Sequence, residues 1–364
     1  MSGAALEGVV IADFSRVLAG PYATMLLADL GAHVIKVERP VFGDDTRAWG
    51  PPYAADGQST YYHSVNRNKE LIELDLKQPA DRARAHDLIA RADVFIENFK
   101  PGAAEAMGLG PMQLRAAHPR LITCSINGFG SGEGADLPGY DLLAQATGGL
   151  MSITGTDAPT KVGVALVDVL TGAHAAIGIL AALHARSRSG EGQHIEVSLL
   201  TSLLSGLANQ ASAFVGAGVV PGRLGNDHPS ITPYGVYEAQ DRPMIIAVGN
   251  DNQFRHLAAV IGLDENGAFE TNASRVAHRD ALREQINARL AAASADVWQE
   301  RLTAVGVPCG PINDIGQAFA LAERLGLHPI ARCDDGTRTV ANPIRFSQTP
   351  ATYRTSPPKL ASAP

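Results

Sequence analysis

Short apolar runs alternate with longer amphipathic stretches through the first third of the chain. The runs are rich in Val and Ile, which is typical of strands buried on both faces of a sheet. The stretches between them carry helix signals, because Pro21 and Pro79 stand at predicted helix starts and Gly31 follows a predicted helix end. This alternation predicts an α/β fold with a doubly wound parallel sheet. The predicted strands are "VVIADF" (9–14), "HVIKVE" (33–38), "LIELDL" (71–76), "DVFIEN" (93–98) and "RLITCSI" (120–126).

The pattern changes after residue 200. Before it, "QHIEVSLL" predicts a further strand, and the glycine-rich stretch 128–139 predicts a loop leaving the carboxyl end of a strand, where ligands bind in such folds. After it come a helix of small residues, a Gly/Pro-rich stretch, a strand pair and several helices. We therefore predict a large domain over 1–200, a linker over 201–224, a small α/β domain over 225–325, and a C-terminal segment, 330–364, that returns to the large domain.

One carboxylate interrupts the apolar run 162–170. Asp168 would lose hydration there, so it must be paired, neutralised or used in chemistry. It is either a structural residue that caps the next helix or pairs with a buried Arg, or a nucleophile at a strand end. The nucleophile would need the positive end of the Ala-rich helix and amide donors such as those of a turn at Thr171 and Gly172. Periodicity alone leaves both interpretations open.

Composition narrows the classes of function. The formal charge is -7 and no polybasic run occurs, which argues against nucleic acid or an anionic membrane as partner. The N-terminus lacks a basic signal region, and Asp, His or Arg interrupt the apolar segments short of a membrane span. We therefore expect a cytoplasmic protein. Three cysteines without a CxxC pair and eleven scattered histidines predict neither a disulfide framework nor a metal site.

Cations and amides follow successive predicted strands. "SRVLAGP" (15–21) leads into a helix N-terminus, a natural anion site. Basic residues follow the predicted strands 33–38 and 93–98, and "NRNK" (66–69) supplies two more. Because the carboxyl ends of parallel strands meet at one edge of a sheet, this arrangement predicts an elongated anionic ligand. The residues concerned include Arg39, Arg47, Arg67, Lys69, Asn98, Phe99 and Lys100.

Several longer segments together resemble the family III CoA-transferases. They occur in order over about residues 6–350, so the resemblance is specific. The segments are "DFSRVLAGPYATMLLADLGAHVIKVERP", "GDDTRAWGPP", "SVNRNKELIELDLK", "ADVFIENFKPGAAEAMGLG", "GYDLLAQATGGLMSITG", "VALVDVLTGAHAAIGILAAL" and "VPCGPIND".

The resemblance implies a Rossmann-like large domain, a small α/β domain and an interlocked homodimer that binds coenzyme A as acyl-CoA, without a metal. In the family, an aspartate in the segment matching "VALVDVLTG" attacks the acyl-CoA thioester. A mixed anhydride and then an aspartyl-CoA thioester form, and the acceptor carboxylate resolves the latter. That position is Asp168, so the resemblance favours the nucleophile. The CoA contacts that it predicts here are Val17, Ala19, Arg39, Arg47, Lys69, Asn98, Phe99 and Lys100.

One family feature is missing. Similar proteins carry an arginine just before the "MG" of this region and use it near the CoA phosphates, whereas this chain has Ala106. We expect Lys100 or Arg47 to compensate.

Two other functions fit the same resemblance. The related α-methylacyl-CoA racemases carry His followed by Asp where this chain has Tyr140 and Asp141. A tyrosine with its ordinary pKa near 10 is a poor base at neutral pH, so transfer is favoured over racemisation. A non-catalytic acyl-CoA-binding protein would bind the thioester without turnover.

The acceptor is predicted from branch-specific segments. The oxalate-directed formyl-CoA branch has Gln at the position of Leu18 and a glycine-run loop where this chain has "GNDHPSITPYGVY", so that branch is disfavoured. The chain is more similar to enzymes that move CoA from succinyl-CoA to glutarate-like or C5 branched diacids. The predicted substrate contacts are Arg16, Asn226 or His228, any of which could bind the distal carboxylate, and Tyr140.

Overall fold

The computed structural model describes residues 3–263 and 267–361, which form two compact units. The first unit contains the chain up to Leu150, Lys161–Pro221 and the chain from Leu327 onward, and the second contains Met151–Thr160 and Gly222–Gly326. We placed 151–160 in the large domain. It groups with the second unit because its backbone carbonyls accept hydrogen bonds from residues 223 and 225.

The first unit is built on a six-stranded parallel sheet with the order β3-β2-β1-β4-β5-β6. The predicted α/β fold with a parallel sheet is thereby confirmed. The order reverses between β1 and β4, which makes the carboxyl ends of these two strands the switch point of the sheet. The strands are β1 (Val10–Asp13), β2 (His33–Glu38), β3 (Lys69–Glu73), β4 (Val94–Glu97), β5 (Ile122–Asn127) and β6 (His194–Ser198).

Helices cover both faces of this sheet, which explains why the strands are apolar runs rather than alternating ones. The first helix begins two residues before Pro21, whose missing N–H costs nothing in a first turn. The helices of the chain up to residue 217 are α1 (Ala19–Asp29), α2 (Thr60–His63), α3 (Pro79–Ile89), α4 (Ala103–Ala106), α5 (Pro111–Ala117), α6 (Asp141–Thr147), α7 (Leu150–Ile153), α8 (Leu166–Ser189), α9 (Leu199–Gly206) and α10 (Ala208–Ala217), with a short 3₁₀ helix at Asp45–Ala48. All but one of them belong to the first unit, since α7 lies almost wholly in the segment that groups with the second.

Helix α8 is the longest helix of the described residues and lies against α1. A Cβ on Gly172 would stand 2.5 Å from the carbonyl oxygen of Ala19, so the close approach of the two helices requires glycine there. By length and composition alone, α8 is apolar enough to cross a membrane, contrary to our expectation for the apolar segments. In the structure it packs against α1, β5 and β6.

The second unit has an antiparallel sheet of order β7-β8-β9 and its own core around Phe254, Leu282 and Trp298. The tail, with its hairpin β10–β11, groups with the first unit, where Thr352 N donates to Asp29 O. The elements are β7 (Tyr234–Glu238), β8 (Pro243–Ala247), α11 (Asp251–Ile261), α12 (Asn272–Ala277), α13 (Arg279–Leu290), α14 (Ala295–Ala304), β9 (Cys309–Pro311), α15 (Ile315–Arg324), β10 (Ile330–Arg332) and β11 (Arg338–Val340).

Candidate active site

A cavity of about 580 Å³ lies in the first unit at the switch point of the parallel sheet. Its walls are the loops that follow β1, β4 and β5, as the general rule for ligand sites in such sheets predicts. The lining residues are 16–19, 98–101, 126–130 and 134–140, together with Asp45, Asp168 and Leu199.

The loops after β1 and β4 are tied to each other by one amide side chain. Asn98 Oδ1 accepts a hydrogen bond from Arg16 N, and Asn98 Nδ2 donates to Arg16 O, both at 2.8 Å. A side-chain amide can satisfy a backbone N–H and C=O in this reciprocal way only when the two loops keep a fixed separation. This part of the cavity wall is therefore held in place without a ligand.

Asp168 lies in the first turn of α8, not at a strand end. Residues 161–165 form no strand, and Thr171 and Gly172 lie inside the helix, so the predicted turn donors are also wrong. The reason is a cap supplied from elsewhere in the chain. Asp141 Oδ1, in α6, accepts hydrogen bonds from Val167 N at 2.8 Å and Asp168 N at 3.3 Å, which satisfies amides of the first turn.

The carboxylate of Asp168 is partly buried and has no partner of opposite charge. It forms no ion pair and accepts no hydrogen bond within residues 3–263 and 267–361. Burial, and secondly the negative charge of Asp141, raise its pKa from 3.8 to about 7. The positive end of the α8 dipole favours the ionised form at this position. Asp168 is therefore a weakly solvated carboxylate that gains and loses its proton near neutral pH.

The structure brings most of the predicted site residues together. Seven of them line the same cavity as Asp168: Arg16, Val17, Ala19, Asn98, Phe99, Lys100 and Tyr140. Lys100 is exposed and forms no ion pair with the described part of the chain. Arg39 is not among the lining residues, but its Nη2 lies 2.7 Å from Asp45 Oδ1, and Asp45 does line the cavity.

Two predicted CoA contacts, Arg47 and Lys69, form hydrogen bonds with buried carboxylates instead. Arg47 Nε donates to Glu38 Oε2 at 2.7 Å, and its guanidinium lies over the ring of Tyr62. Lys69 is fully buried and donates to Asp13 Oδ2 at 3.2 Å. Neither lines the cavity, so this placement does not support phosphate contacts by Arg47 or Lys69.

Asn226 and His228 lie in the second unit, in the loop before β7, where the imidazole packs against the ring of Tyr234. Their contribution to substrate binding stays a prediction.

Sequence reasoning missed the role of Asp141. It was noted only as the neighbour of Tyr140, yet it caps α8 and perturbs Asp168. Its position as the first residue of a helix was the one available signal, and that signal points to α6 rather than to α8, which begins 25 residues later. Within the described ranges, no group of three or more His, Cys, Asp or Glu residues is arranged to hold a metal ion.

Comparison with known proteins adds an independent result. The sequence model of CoA-transferase family III matches residues 6–362. The succinate--glutarate CoA-transferase of Agrobacterium fabrum is 45% identical over 375 residues, covering 98% of this chain and 92% of that protein. The acetyl-CoA:oxalate CoA-transferase of Acetobacter aceti is 39% identical, covering 94% of this chain and 89% of that protein.

A solved structure matches the fold over nearly the whole chain. The crystal structure of a CAIB/BAIF family protein from Brucella suis has a TM-score of 0.88 and 40% sequence identity. The match covers 99% of this chain and 97% of that one.

Proposed function

Because this chain belongs to CoA-transferase family III, we propose that Asp168 is the nucleophile that carries its transfer of CoA between carboxylic acids. One observation supports this assignment above the others. Asp168 presents an unpaired, partly buried carboxylate to a cavity at the switch point of the sheet. The carboxylates of Asp13, Asp29 and Asp44 in this unit are, by contrast, paired with Lys or Arg.

The chemistry proceeds by exchanges between thioester and carboxylate. An oxygen of Asp168 attacks the donor's thioester carbonyl and expels the CoA thiolate, which leaves a mixed anhydride. The thiolate then attacks the Asp168 carbonyl of that anhydride, so the donor acid leaves and an aspartyl-CoA thioester forms. The acceptor carboxylate attacks this thioester and expels CoA thiolate, which leaves a second mixed anhydride, between Asp168 and the acceptor. The thiolate then attacks the acceptor's carbonyl carbon in that anhydride and expels the Asp168 carboxylate. The new acyl-CoA and the free Asp168 carboxylate result.

The raised pKa of Asp168 suits both halves of this cycle. A carboxylate that is poorly solvated attacks a carbonyl more readily than a hydrated one, yet it must be ionised to do so. A pKa of about 7 leaves a substantial ionised fraction at neutral pH. The amides of the α8 first turn are already bonded to Asp141, so the helix assists the carboxylate through its dipole.

The proposed donor is succinyl-CoA and the proposed acceptor is a dicarboxylate such as glutarate or a C5 branched diacid. The Agrobacterium and Acetobacter relatives are both named for transfer involving a dicarboxylic acid, glutarate and oxalate respectively. Arg16 is the proposed partner of the distal carboxylate. It lines the cavity and its Nη1 lies 3.6 Å from Asp45 Oδ2. A diacid would compete with Asp45 for this guanidinium.

We further propose that the chain acts as a homodimer. Large apolar side chains on α8 and α10 are exposed in the single chain, among them Ile177 at 63% and Val215 at 83%. Large apolar side chains left exposed to water in a single chain are expected to be covered at an interface. Light scattering should therefore give twice the mass of one chain, and a monomer at micromolar concentration would contradict the proposal.

Mass spectrometry after trapping tests the nucleophile directly. The protein is incubated with succinyl-CoA without acceptor, treated with hydroxylamine or borohydride, and digested. We expect a mass change confined to the peptide containing Asp168 and absent from Asp168→Asn. A trapped adduct on another peptide would overturn the assignment.

The same incubation in deuterated water separates the competing functions. A racemase or isomerase would give no adduct and would introduce deuterium at the α-carbon of a suitable acyl-CoA. A binding protein would bind CoA and give neither signal.

A further inference from the structure

Val17 has an unusual backbone conformation at the wall of the cavity. Its φ is 70°, in the left-handed region, which a β-branched residue enters only at a cost in free energy. Such a residue persists when its surroundings determine its conformation, and these positions concentrate at functional sites. Contacts around Val17 must therefore hold it in this conformation.

The buried ion pair between Lys36 and Asp44 forms hydrogen bonds with the backbone on both sides of Arg16. Val17 N lies 3.2 and 3.3 Å from the two carboxylate oxygens of Asp44. Lys36 Nζ donates to Ser15 O at 2.9 Å and to Asp44 Oδ2 at 3.0 Å. Both charged side chains are 0% exposed. Two buried charged side chains that do not line the cavity therefore hold the loop after β1 in place.

Asp44 is itself held on several sides. Thr46 donates to its Oδ1 through N at 3.0 Å and Oγ1 at 2.8 Å, and Asp44 N donates to Glu38 Oε2 at 2.7 Å. Burial by itself raises the pKa of Asp44, but the charge of Lys36 and the bonds from Thr46 bring it below its ordinary value, so the group stays ionised. An ionised, immobilised carboxylate is a strong acceptor for the amide of Val17.

We propose that Asp44 is a positioning residue for acyl-CoA, which holds Val17 in the left-handed conformation and so preserves the shape of the cavity wall. The inference rests on the proposed function in that acyl-CoA occupies this cavity. Asp44 is not among the residues that line the cavity, and the proposed effect runs through the backbone of Val17. Replacing Val17 by glycine, which adopts positive φ freely, should therefore make Asp44 less necessary.

A double-mutant cycle tests this coupling. CoA affinity is measured by titration calorimetry, and KM for succinyl-CoA by turnover, in wild type, Asp44→Ala, Val17→Gly and the double variant. We expect Asp44→Ala to weaken CoA binding about tenfold when position 17 is Val, and less than about twofold when it is made in the Val17→Gly background, whatever Val17→Gly loses by itself. The double variant should therefore bind CoA within roughly twofold of Val17→Gly alone. Losses that simply add would overturn the proposal, because a merely structural Asp44 gains nothing from glycine at position 17.

A second pair of variants keeps the test decisive where Asp44→Ala does not fold. Val17→Pro retains Asp44, but proline has no N–H to donate to it and cannot adopt positive φ. Val17→Ala keeps the N–H and can still adopt positive φ. We expect about a tenfold loss of CoA affinity in the first and less than about threefold in the second. Equal losses would overturn the proposal. A wild-type protein that fails to bind CoA would contradict the proposed function itself, whereas wild-type binding with insensitive Asp44 variants contradicts this inference alone.

Discussion

The first unit keeps carboxylates away from water in two contrasting regions. Beneath the loop after β1, Asp13 and Asp44 are fully buried but paired with Lys69 and Lys36, and these charges hold the pKa of each carboxyl below its ordinary value in spite of burial. At the first turn of α8, Asp168 forms no ion pair with the part of the chain that the structure describes, and its pKa is raised to about 7. Burial is common to both regions, and the neighbouring charge decides the outcome. A paired carboxylate maintains structure, while the unpaired one is available for chemistry.

The comparison predicts its largest effect at Asp168. Asp168→Asn removes the nucleophile and keeps the shape of the side chain, so we expect CoA transfer to fall by about a thousandfold or more. Steady-state assays with succinyl-CoA and glutarate measure the loss. Asp87→Asn, the same change at an exposed position on α3, is the matched control and should retain full activity. An Asp168→Asn enzyme within about tenfold of wild type would show that another group is the nucleophile.

The same variant should gain stability at alkaline pH. The pKa of Asp168 in the folded protein lies above its ordinary value of 3.8, so its contribution to stability is present at low pH and is lost as pH rises through about 7. Above pH 7, Asp168→Asn avoids the cost of the buried charge. We expect it to be more stable than wild type by about 1 kcal/mol at pH 8, a discounted figure because the side chain is partly solvated. Thermal unfolding at pH 5 and pH 8 tests this, and equal differences at the two pH values would contradict it.

Removing a charge from the region of paired carboxylates should lower the stability of the protein, whereas removing the charge of Asp168 should raise it. Lys69→Met deprives Asp13 of a cation and abolishes hydrogen bonds from Lys69 Nζ to Pro21 O and Asn66 Oδ1. We expect a loss of about 3 kcal/mol in the free energy of unfolding, roughly a hundredfold in the folding equilibrium. Denaturant unfolding measures it, with Lys77→Met at an exposed position as the control. If both lysine variants lose equally little, the buried pair does not stabilise the fold.

These two regions also show what the sequence can predict. The parallel strands were predicted because strands covered on both faces are continuous runs of Val and Ile. Asp168 was noticed because a charge is rare in such a run. The start of α8 at Leu166 was not predicted, because its cap, Asp141, comes from α6. Lys69 was assigned to CoA because it belongs to the basic segment "NRNK" near the predicted strand ends. The sequence does not show that Lys69 begins β3 and that its amine is buried against Asp13.

A substitution at Asp141 should have a smaller effect, because it changes the pKa of Asp168 without removing its carboxylate. In Asp141→Asn the side-chain oxygen can still accept from Val167 N, but the negative charge that helps to raise the pKa of Asp168 is gone. Burial remains, so the pKa should fall only part of the way toward 3.8. The pH of half-maximal kcat/KM, which we expect to follow the pKa of Asp168 at about 7 in wild type, should move down, and activity at pH 6 should rise roughly three- to tenfold. Asp136→Asn, at another carboxylate of the cavity wall, should leave the midpoint unchanged. A midpoint that stays or rises in Asp141→Asn would show that this charge does not act on the nucleophile.

The smallest expected effect concerns the choice of acceptor. Arg16 is the cation of the cavity wall that already faces a carboxylate, Asp45, at 3.6 Å, and a distal carboxylate of the substrate can take over this contact. Arg16→Ala should therefore raise KM for glutarate several-fold more than KM for a monocarboxylate of similar length, since an exposed or half-exposed ion pair contributes about 1 kcal/mol or less. The surface variant Arg91→Ala should change neither KM. Because Arg16 also forms the loop held by Asn98, a general distortion of that loop would weaken both acceptors alike. Equal losses would therefore remove Arg16 from acceptor recognition and leave it a structural part of the wall.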